Sequence, residues 1–497
     1  MYIFKLRPKL FPYEKKFAWA EINNIALSYN ASIKKITNVK YAVVTDKNIN
    51  IALLRNVTYF REIILPNGSS LVPNITKWES SSFVNGGYST RYSAHGIHEY
   101  KGKFNPQVVH SLLNQYLDFN YTNKTVYDPF AGSGTTLLEA SLMGISSVGT
   151  DVNPLAVLIS KAKQNSLEIN MQQLVKYWEK AEEYARNKKE YKLIINDSRL
   201  DYLANWFPIE TLTKLELVRN YILKLPTKYK EVLEVIVSNL LREYSYQEPK
   251  DLRIRRRKQI PEQTEILEAI NNKVHDFADR MKRFEKVYNQ SPVINNEYLI
   301  SSEDYESEKK YDLALTSPPY ATALPYIDTQ RLSIIWCDLA EPSQIKDLDQ
   351  NLIGTRESSK AHLESLRKNL KNNVTYLPES VITFLRKLQS SINYEKDGFR
   401  RQATPALLYQ YFVEMQNMFK NVKNNLKKDA FYLLIVGTNK TTLGGTKFII
   451  DTPVLLGDVA KSQGWKLINV TLLQTYKRYG INTKNSVNEE KLLILKK

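Results

Sequence analysis

The segment TVYDPFAGSGTTLLEASLMGISSVGTDVNP, residues 125–154, decides the fold. TVYDPF reads as a short buried strand and AGSGTTLLEASLMG as a glycine-rich turn opening a helix. ISSVGTDV reads as the next strand, and NPLAVLISKAK as the next helix. Such alternation predicts a parallel sheet with helices on its faces. Gly132 and Gly134 let the backbone turn tightly and approach a ligand. The helix behind them points its positive N-terminus into the same space.

The turn lacks the Gly-Lys-Thr ending of a phosphate-binding P-loop and falls short of a dinucleotide fingerprint. Asp151, at the tip of the second strand, is placed to accept from ribose hydroxyls. Asp128, beside the turn, suits an ammonium or a backbone amide better than a phosphate. A ligand with a ribose and an ammonium but no phosphate is S-adenosylmethionine.

A second motif lies far along the chain. LTSPPY, residues 315–320, closes the run YDLAL. Proline cannot donate to a sheet ladder, so the strand stops there, and the residue before each proline is pushed to extended geometry. The result is a stiff corner followed by an aromatic ring. Taken alone, a proline-rich turn with one exposed Tyr is the better account of it.

The remaining sequence divides around these two motifs. Residues 1–90 read as a small N-terminal α/β domain. YIFKL is a strand, EKKFAWAEINNIALSY a helix with Phe17, Ala20, Ile22 and Leu27 near one face, and IKKITNVKYAVVTD one or two strands. Residues 91–165 carry the glycine turn. Residues 166–292 break the α/β rhythm with long charged stretches at helical spacing and predict a mostly helical insertion. Residues 293–497 return to α/β, with a further insertion at 340–400 and two final strands that form a hairpin. The predicted fold is a Rossmann-like mixed sheet of about seven strands carrying a helical insertion and the small N-terminal domain. No internal repeat is seen.

Composition narrows the setting. The chain has 497 residues, 43% of them hydrophobic, and a net charge of +18. Such a surplus repels itself unless an anionic partner neutralises it, and nucleic acid is the first candidate. A single cysteine, Cys337, and five scattered histidines predict no disulfide and no metal site. Cys337, in the apolar run RLSIIWCDLA, reads as core. No apolar run is long enough for a membrane span, and the start MYIFKLRPKLFPYEKKFAWA lacks the apolar core of a signal peptide. A reducing, cytoplasmic setting is expected.

DPFAGSGTT together with TSPPY resembles the S-adenosylmethionine-dependent amino-methyltransferases of DNA, over roughly 95–165 and 293–497. HEYKGKFNPQVVHSLL lies where such enzymes carry a further cofactor-binding segment. The resemblance implies cofactor contacts from Lys103, Phe104, Asp128, Pro129, Phe130, Ala131, Gly132, Ser133, Gly134 and Thr135, from Asp151, Val152 and Asn153, and from Glu303 and Asp304. IINDSRL, residues 194–200, is a rival for the last role. A branched side chain at Gly134 is expected to fill the ligand's space.

Catalysis falls to Ser317, Pro318, Pro319 and Tyr320. The Ser317 side chain and Pro318 carbonyl accept from an exocyclic base amine, and Tyr320 stacks on an extruded base. In the family, Ser at the head of the corner goes mainly with cytosine N4, and Asp or Asn mainly with adenine N6. Cytosine N4 is therefore the first reading and adenine N6 the alternative. Double-stranded DNA is the implied partner, with a cognate restriction endonuclease behind it. Arg253, Arg255, Arg256, Arg257 and Lys258 form a basic run in the insertion suited to phosphates, with a solvated loop the plainer account. ATALPYIDTQRLSIIW is similar to a subgroup of DNA methylases in which Tyr326 and Arg331 belong to the active-site rim.

The N-terminal stretch is also similar to the opening of transfer-RNA guanine methyltransferases, which keeps RNA as an alternative substrate. Those enzymes usually show Asp-Pro-Pro-Tyr followed by Gly, whereas this chain has Ser317 and Ala321. A non-catalytic nucleic-acid-binding protein is a third reading, against which the intact Gly132, Gly134, Ser317 and Tyr320 speak.

Overall fold

A computed structural model describes residues 1–83, 89–100, 102–103, 105–188, 190–251, 254–260, 265–321, 326–356, 358–474 and 489–497. Five strands near the N-terminus, β1 (Tyr2–Leu6), β2 (Ser32–Thr37), β3 (Lys40–Val44), β4 (Phe60–Ile64) and β5 (Ser70–Leu71), form an antiparallel sheet in the order β2-β3-β1-β4-β5. Helix Pro12–Ser28 packs on it through Tyr13, Phe17, Ala18, Ile22 and Ile25. Leu27, expected on that face, is 69% exposed, because the buried stripe runs through Ile25 and Ala26 instead.

The main sheet has seven strands: β6 (Thr125–Asp128), β7 (Ser146–Asp151), β8 (Asn296–Leu299), β9 (Tyr311–Thr316), β10 (Leu426–Gly437), and, after the small hairpin β11 (Asn439–Leu443) and β12 (Thr446–Ile450), β13 (Lys466–Gln474) and β14 (Glu489–Lys496). Their order is β13-β14-β10-β9-β6-β7-β8. The run β8-β7-β6-β9-β10 is parallel, and β14 joins β10 antiparallel. The sheet is the Rossmann-like one expected, closed by the anticipated β13–β14 pair. The β11–β12 hairpin was not foreseen.

Alternation along the central strands explains the layering. Val126, Leu313, Leu315, Leu433 and Ile435 face one side, where helix Pro106–Tyr116 and the N-terminal unit cover them. Tyr127, Ala314, Tyr432 and Leu434 face the other, covered by the long helix Phe399–Asn425. The N-terminal unit thus shares its core with the main sheet. Helices Lys360–Asn372 and Glu379–Ser390, within 340–400, pack on Phe399–Asn425 through Leu363, Leu366, Leu385 and Leu388.

The stretch 166–292 is helical among its described residues, with helices Met171–Asn187, Ser198–Ala204, Ile209–Ile222, Thr227–Ser238 and Ile266–Glu285. Trp178, Leu217 and Ile270 from these helices join Leu138, Leu158 and Trp336 in one apolar cluster, so the stretch is built onto the helix layer of the sheet. Among the described residues no helix is long and apolar enough to cross a membrane.

Trp178 is fully buried and its indole N–H donates to Asn271 Oδ1 at 3.0 Å. Trp178→Ala is expected to cost about 3–5 kcal/mol. Because the core is shared, denaturant unfolding followed by circular dichroism should move as a whole; early loss of the insertion alone would contradict the shared core.

Candidate active site

The chain order β6, β7, β8 runs outward on one side of β6, and β9 then returns to its other side. Open α/β sheets hold ligands at such a reversal, beyond the carboxyl ends of the strands. Here the direct pairing of β6 with β9, Val126 opposite Leu313 and Tyr127 opposite Ala314, sets the glycine turn beside the Ser-Pro-Pro-Tyr corner.

One cleft opens between them. Of the residues singled out in the sequence, Lys103, Phe130, Ala131, Gly132, Ser133, Thr135, Asp151, Asn153, Ser317, Pro319 and Tyr326 line it. Tyr100, Gly102 and Leu352 complete the wall. Gly132 has φ +54°, and a Cβ there would stand 3.3 Å from the Tyr100 ring. Glycine therefore keeps the backbone bare on the cleft side.

Gly134 does something else. It has φ +70°, and a Cβ would meet Ser160 Oγ at 2.1 Å. Its bareness lets helix Thr135–Leu142 pack on helix Pro154–Asn165, which corrects the expectation that its side chain would fill ligand space.

Asp151 holds the turn. One carboxylate oxygen accepts from Gly132 N at 2.9 Å and the other from Asn153 N at 2.8 Å. Asn153 caps the next helix through Leu155 N and donates to Gln330 Oε1 at 2.8 Å. Asp128 is buried behind the turn, where Oδ1 accepts from Phe130 N at 3.1 Å and from Thr316 Oγ1 at 2.5 Å. That second bond ties the glycine turn to the residue immediately before Ser317. Burial pushes both carboxyls up to about 6.

Lys163, which the motif did not announce, reaches under the turn from helix Pro154–Asn165 and donates to the Ser133 carbonyl and, at 3.2 Å, to Ser133 Oγ. Burial holds its ammonium well below the usual lysine range. Lys103 donates to the His95 carbonyl at 2.8 Å, and burial lowers it to about 7. His95 and His110 both bond the buried Glu139 carboxylate, at 2.7 and 2.9 Å, and Tyr92 donates to it at 2.5 Å. This network anchors the segment before the cleft to the helix behind the glycine turn.

At the corner, Ser317 Oγ donates to the Ile435 carbonyl at 3.1 Å. Tyr320 donates from its hydroxyl to Glu490 Oε1 at 2.6 Å, and Asn439 donates to the Ala321 carbonyl. Pro129, Val152, Pro318 and Tyr320 stand beside the cleft without lining it. Asp304 lines a separate surface depression with Tyr298, Leu299, Ile300, Tyr305 and Glu306, and Glu303 lines neither. Cys337 is buried in the apolar core.

The basic run is partly spent inside the protein. The Arg256 guanidinium lies 4.9 Å from the Tyr246 ring centre, and Arg257 donates to the Ser245 and Glu243 carbonyls. Arg255, Arg256 and Lys258 are exposed. Arg331 pairs with Asp328 at 2.6 Å. Phe104 and Arg253 lie outside the described residues.

The DNA methylase family model matches residues 71–163, which span the segment before the cleft and the whole glycine turn. Over that segment and beyond it, the chain is similar to the S-adenosylmethionine-dependent amino-methyltransferases of DNA. Among its relatives, the type II methyltransferase M.MvaI of Kocuria varians is 25% identical over 413 residues, covering 78% of this chain and 85% of that protein. The type II methyltransferase M.BsoBI of Geobacillus stearothermophilus is 23% identical over 423 residues, covering 78% and 81%. A shorter match, 36% over 125 residues, covers 24% of this chain and 23% of the type II methyltransferase M.MjaII of Methanocaldococcus jannaschii. For an amino-methyltransferase the two motifs are expected to serve one cavity, and the β6–β9 pairing is what delivers them there.

Two substitutions separate the roles of the two glycines. Gly134→Ala should lower the thermal midpoint clearly, since the clash is with a packed helix. Gly132→Ala should leave the fold largely intact while narrowing the cleft. Thr316→Val strips a donor from buried Asp128 and should cost about 1–3 kcal/mol, read by denaturant titration.

Proposed function

We propose that this protein transfers the methyl group of S-adenosylmethionine to the exocyclic N4 amine of a cytosine in double-stranded DNA. We place it as the modification arm of a type II pair with a cognate endonuclease. The single observation that carries this reading is the shared cleft, with Gly132 and Ser317 on facing walls. The two long relatives, type II methyltransferases by name, favour DNA over transfer RNA.

The cleft residues fit the cofactor. The bare Gly132 leaves a cradle that a Cβ would fill. Each oxygen of Asp151 accepts one backbone N–H and retains a lone pair for a ribose hydroxyl. Gly132, Ser133, Thr135 and Lys103 line the part suited to the amino-acid end. When bound, S-adenosylmethionine supplies an electrophilic methyl on a sulfonium.

A cytosine amine is a weak nucleophile because its lone pair is shared with the ring. Ser317 donates its hydroxyl hydrogen to Ile435, so its lone pairs are free to accept from that amine. With the Pro318 carbonyl as the second acceptor, the corner draws the amine hydrogens from the ring plane and releases the lone pair. The prolines keep these acceptors fixed before the reaction, leaving little to reorganise. Tyr320 stacks on the extruded base and offsets part of the few kcal/mol that extrusion costs. Ser317, where adenine-directed relatives by resemblance carry Asp or Asn, favours cytosine. Arg255, Arg256 and Lys258 are the exposed residues of the basic run available to DNA phosphates.

Labelled cofactor and unmodified DNA, followed by nucleoside mass spectrometry, should yield N4-methyldeoxycytidine. N6-methyldeoxyadenosine alone would change the target base, and transfer to transfer RNA but not DNA would overturn the reading. Ser317→Ala should lower turnover on the order of 10²-fold with cofactor affinity nearly unchanged.

The raised carboxyls predict opposite pH trends for binding and folding. Cofactor affinity by calorimetry should fall as pH drops through about 6, where Asp128 and Asp151 gain protons. Unfolded aspartates titrate near about 4, so between about 4 and 6 the fold takes up protons that the unfolded chain does not. Unliganded stability should therefore gain from these groups as pH falls through that window. Asp151→Asn should flatten both trends.

A further inference from the structure

The contact between Tyr320 and Glu490 joins residues 170 positions apart in the sequence. Tyr320 follows β9, whereas Glu490 lies on β14, two strands away across β10. Backbone pairing places Glu490 opposite Gly437 on β10 and Leu473 on β13. The tyrosine hydroxyl donates to the carboxylate at 2.6 Å, the short distance of a charge-assisted bond. The ring is therefore held at both ends, at its Cα by the two prolines and at its hydroxyl by a rigid strand.

A ring that only stacked on a base would need no hydroxyl. A carboxylate beside the site of an anionic polymer, in a chain of net charge +18, also has an electrostatic cost. Both features make sense together if the carboxylate sets the plane of the ring. Tyrosine has two side-chain torsions, and fixing the hydroxyl removes the freedom left in them.

We propose that Glu490 is a positioning residue, which orients the Tyr320 ring for stacking on the extruded base by accepting its hydroxyl. This rests on the reading of Tyr320 as the stacking ring. Three other tethers hold the same corner, Thr316 to Asp128, Ser317 to the Ile435 carbonyl and the Ala321 carbonyl to Asn439. Glu490 acts on the aromatic ring itself, through its hydroxyl.

The test uses the full-length protein, labelled S-adenosylmethionine and unmodified bacteriophage DNA. It compares Glu490→Ala, Glu490→Gln, Tyr320→Phe, Tyr320→Ala and the double variant Tyr320→Phe/Glu490→Ala. Glu490→Ala and Tyr320→Phe should each lower kcat about tenfold, the loss of one charged hydrogen bond. Cofactor affinity by calorimetry and the thermal midpoint should stay near those of the wild type. The double variant should be no slower than the slower single one, because both remove the same bond. Glu490→Gln should recover most of the rate, since its amide oxygen still accepts.

Wild-type turnover in Glu490→Ala, faster turnover there, or multiplied losses in the double variant would each overturn the assignment. If Glu490→Ala fails to fold, Tyr320→Phe decides, since it breaks the same bond from the other end. Tyr320→Ala separates the two claims. If it keeps full activity, the stacking role of Tyr320 fails; if it alone is slow, only the role of Glu490 fails.

Discussion

The structure depends on one junction, the parallel pairing of β6 with β9 and the hydrogen bond from Thr316 to Asp128 that closes it. Two motifs far apart in sequence become neighbours because the chain leaves β6 on one side and returns on the other. Asp128 then serves both, bonding the glycine turn through Phe130 N and the Ser-Pro-Pro-Tyr corner through Thr316. Both bonds converge on the same buried oxygen, Oδ1, so one atom couples the turn to the corner. The relative placement of turn and corner is thus set by strand pairing and a buried carboxylate, with little left to loop motion.

The layers around the sheet serve the same end. Both faces of the parallel strands are covered, one by the N-terminal unit and helix Pro106–Tyr116, the other by helix Phe399–Asn425. The helical stretch after the glycine turn is continuous with the core through Trp178, Leu158 and Trp336. The elements that carry the basic run therefore rest on the same scaffold as the cleft. Charge is spent selectively along the way, since Arg257 is half-buried on backbone carbonyls while Arg255, Arg256 and Lys258 remain exposed.

Much of this was legible in the sequence where chemistry is local. The glycine turn, the acidic strand end and the proline corner are short and rigid, so their conformations follow from a few residues. The seven-stranded sheet followed from the alternation of strands and helices. Contacts that depend on tertiary approach were not legible. Nothing near Gly134 reveals that Ser160 occupies the space a side chain would need, and nothing near Tyr320 points to Glu490. Lys163 was hidden for a similar reason, since the turn lacks its own lysine and this one arrives from the next helix. Asp304 was assigned to the cofactor from its place after β8, but the loop carries it to a separate depression. Leu27 was misplaced because a helical stripe read from spacing alone leaves its edges undefined.

The central claim is that the glycine turn and the Ser-Pro-Pro-Tyr corner serve one chemical event in one cavity. A crystal structure with S-adenosylhomocysteine tests it most directly. The account predicts ligand density in the cleft, against Gly132 and Asp151, with the sulfur directed toward Ser317. Density in the depression bordered by Tyr298 and Asp304, or a sulfur directed away from Ser317, would contradict it.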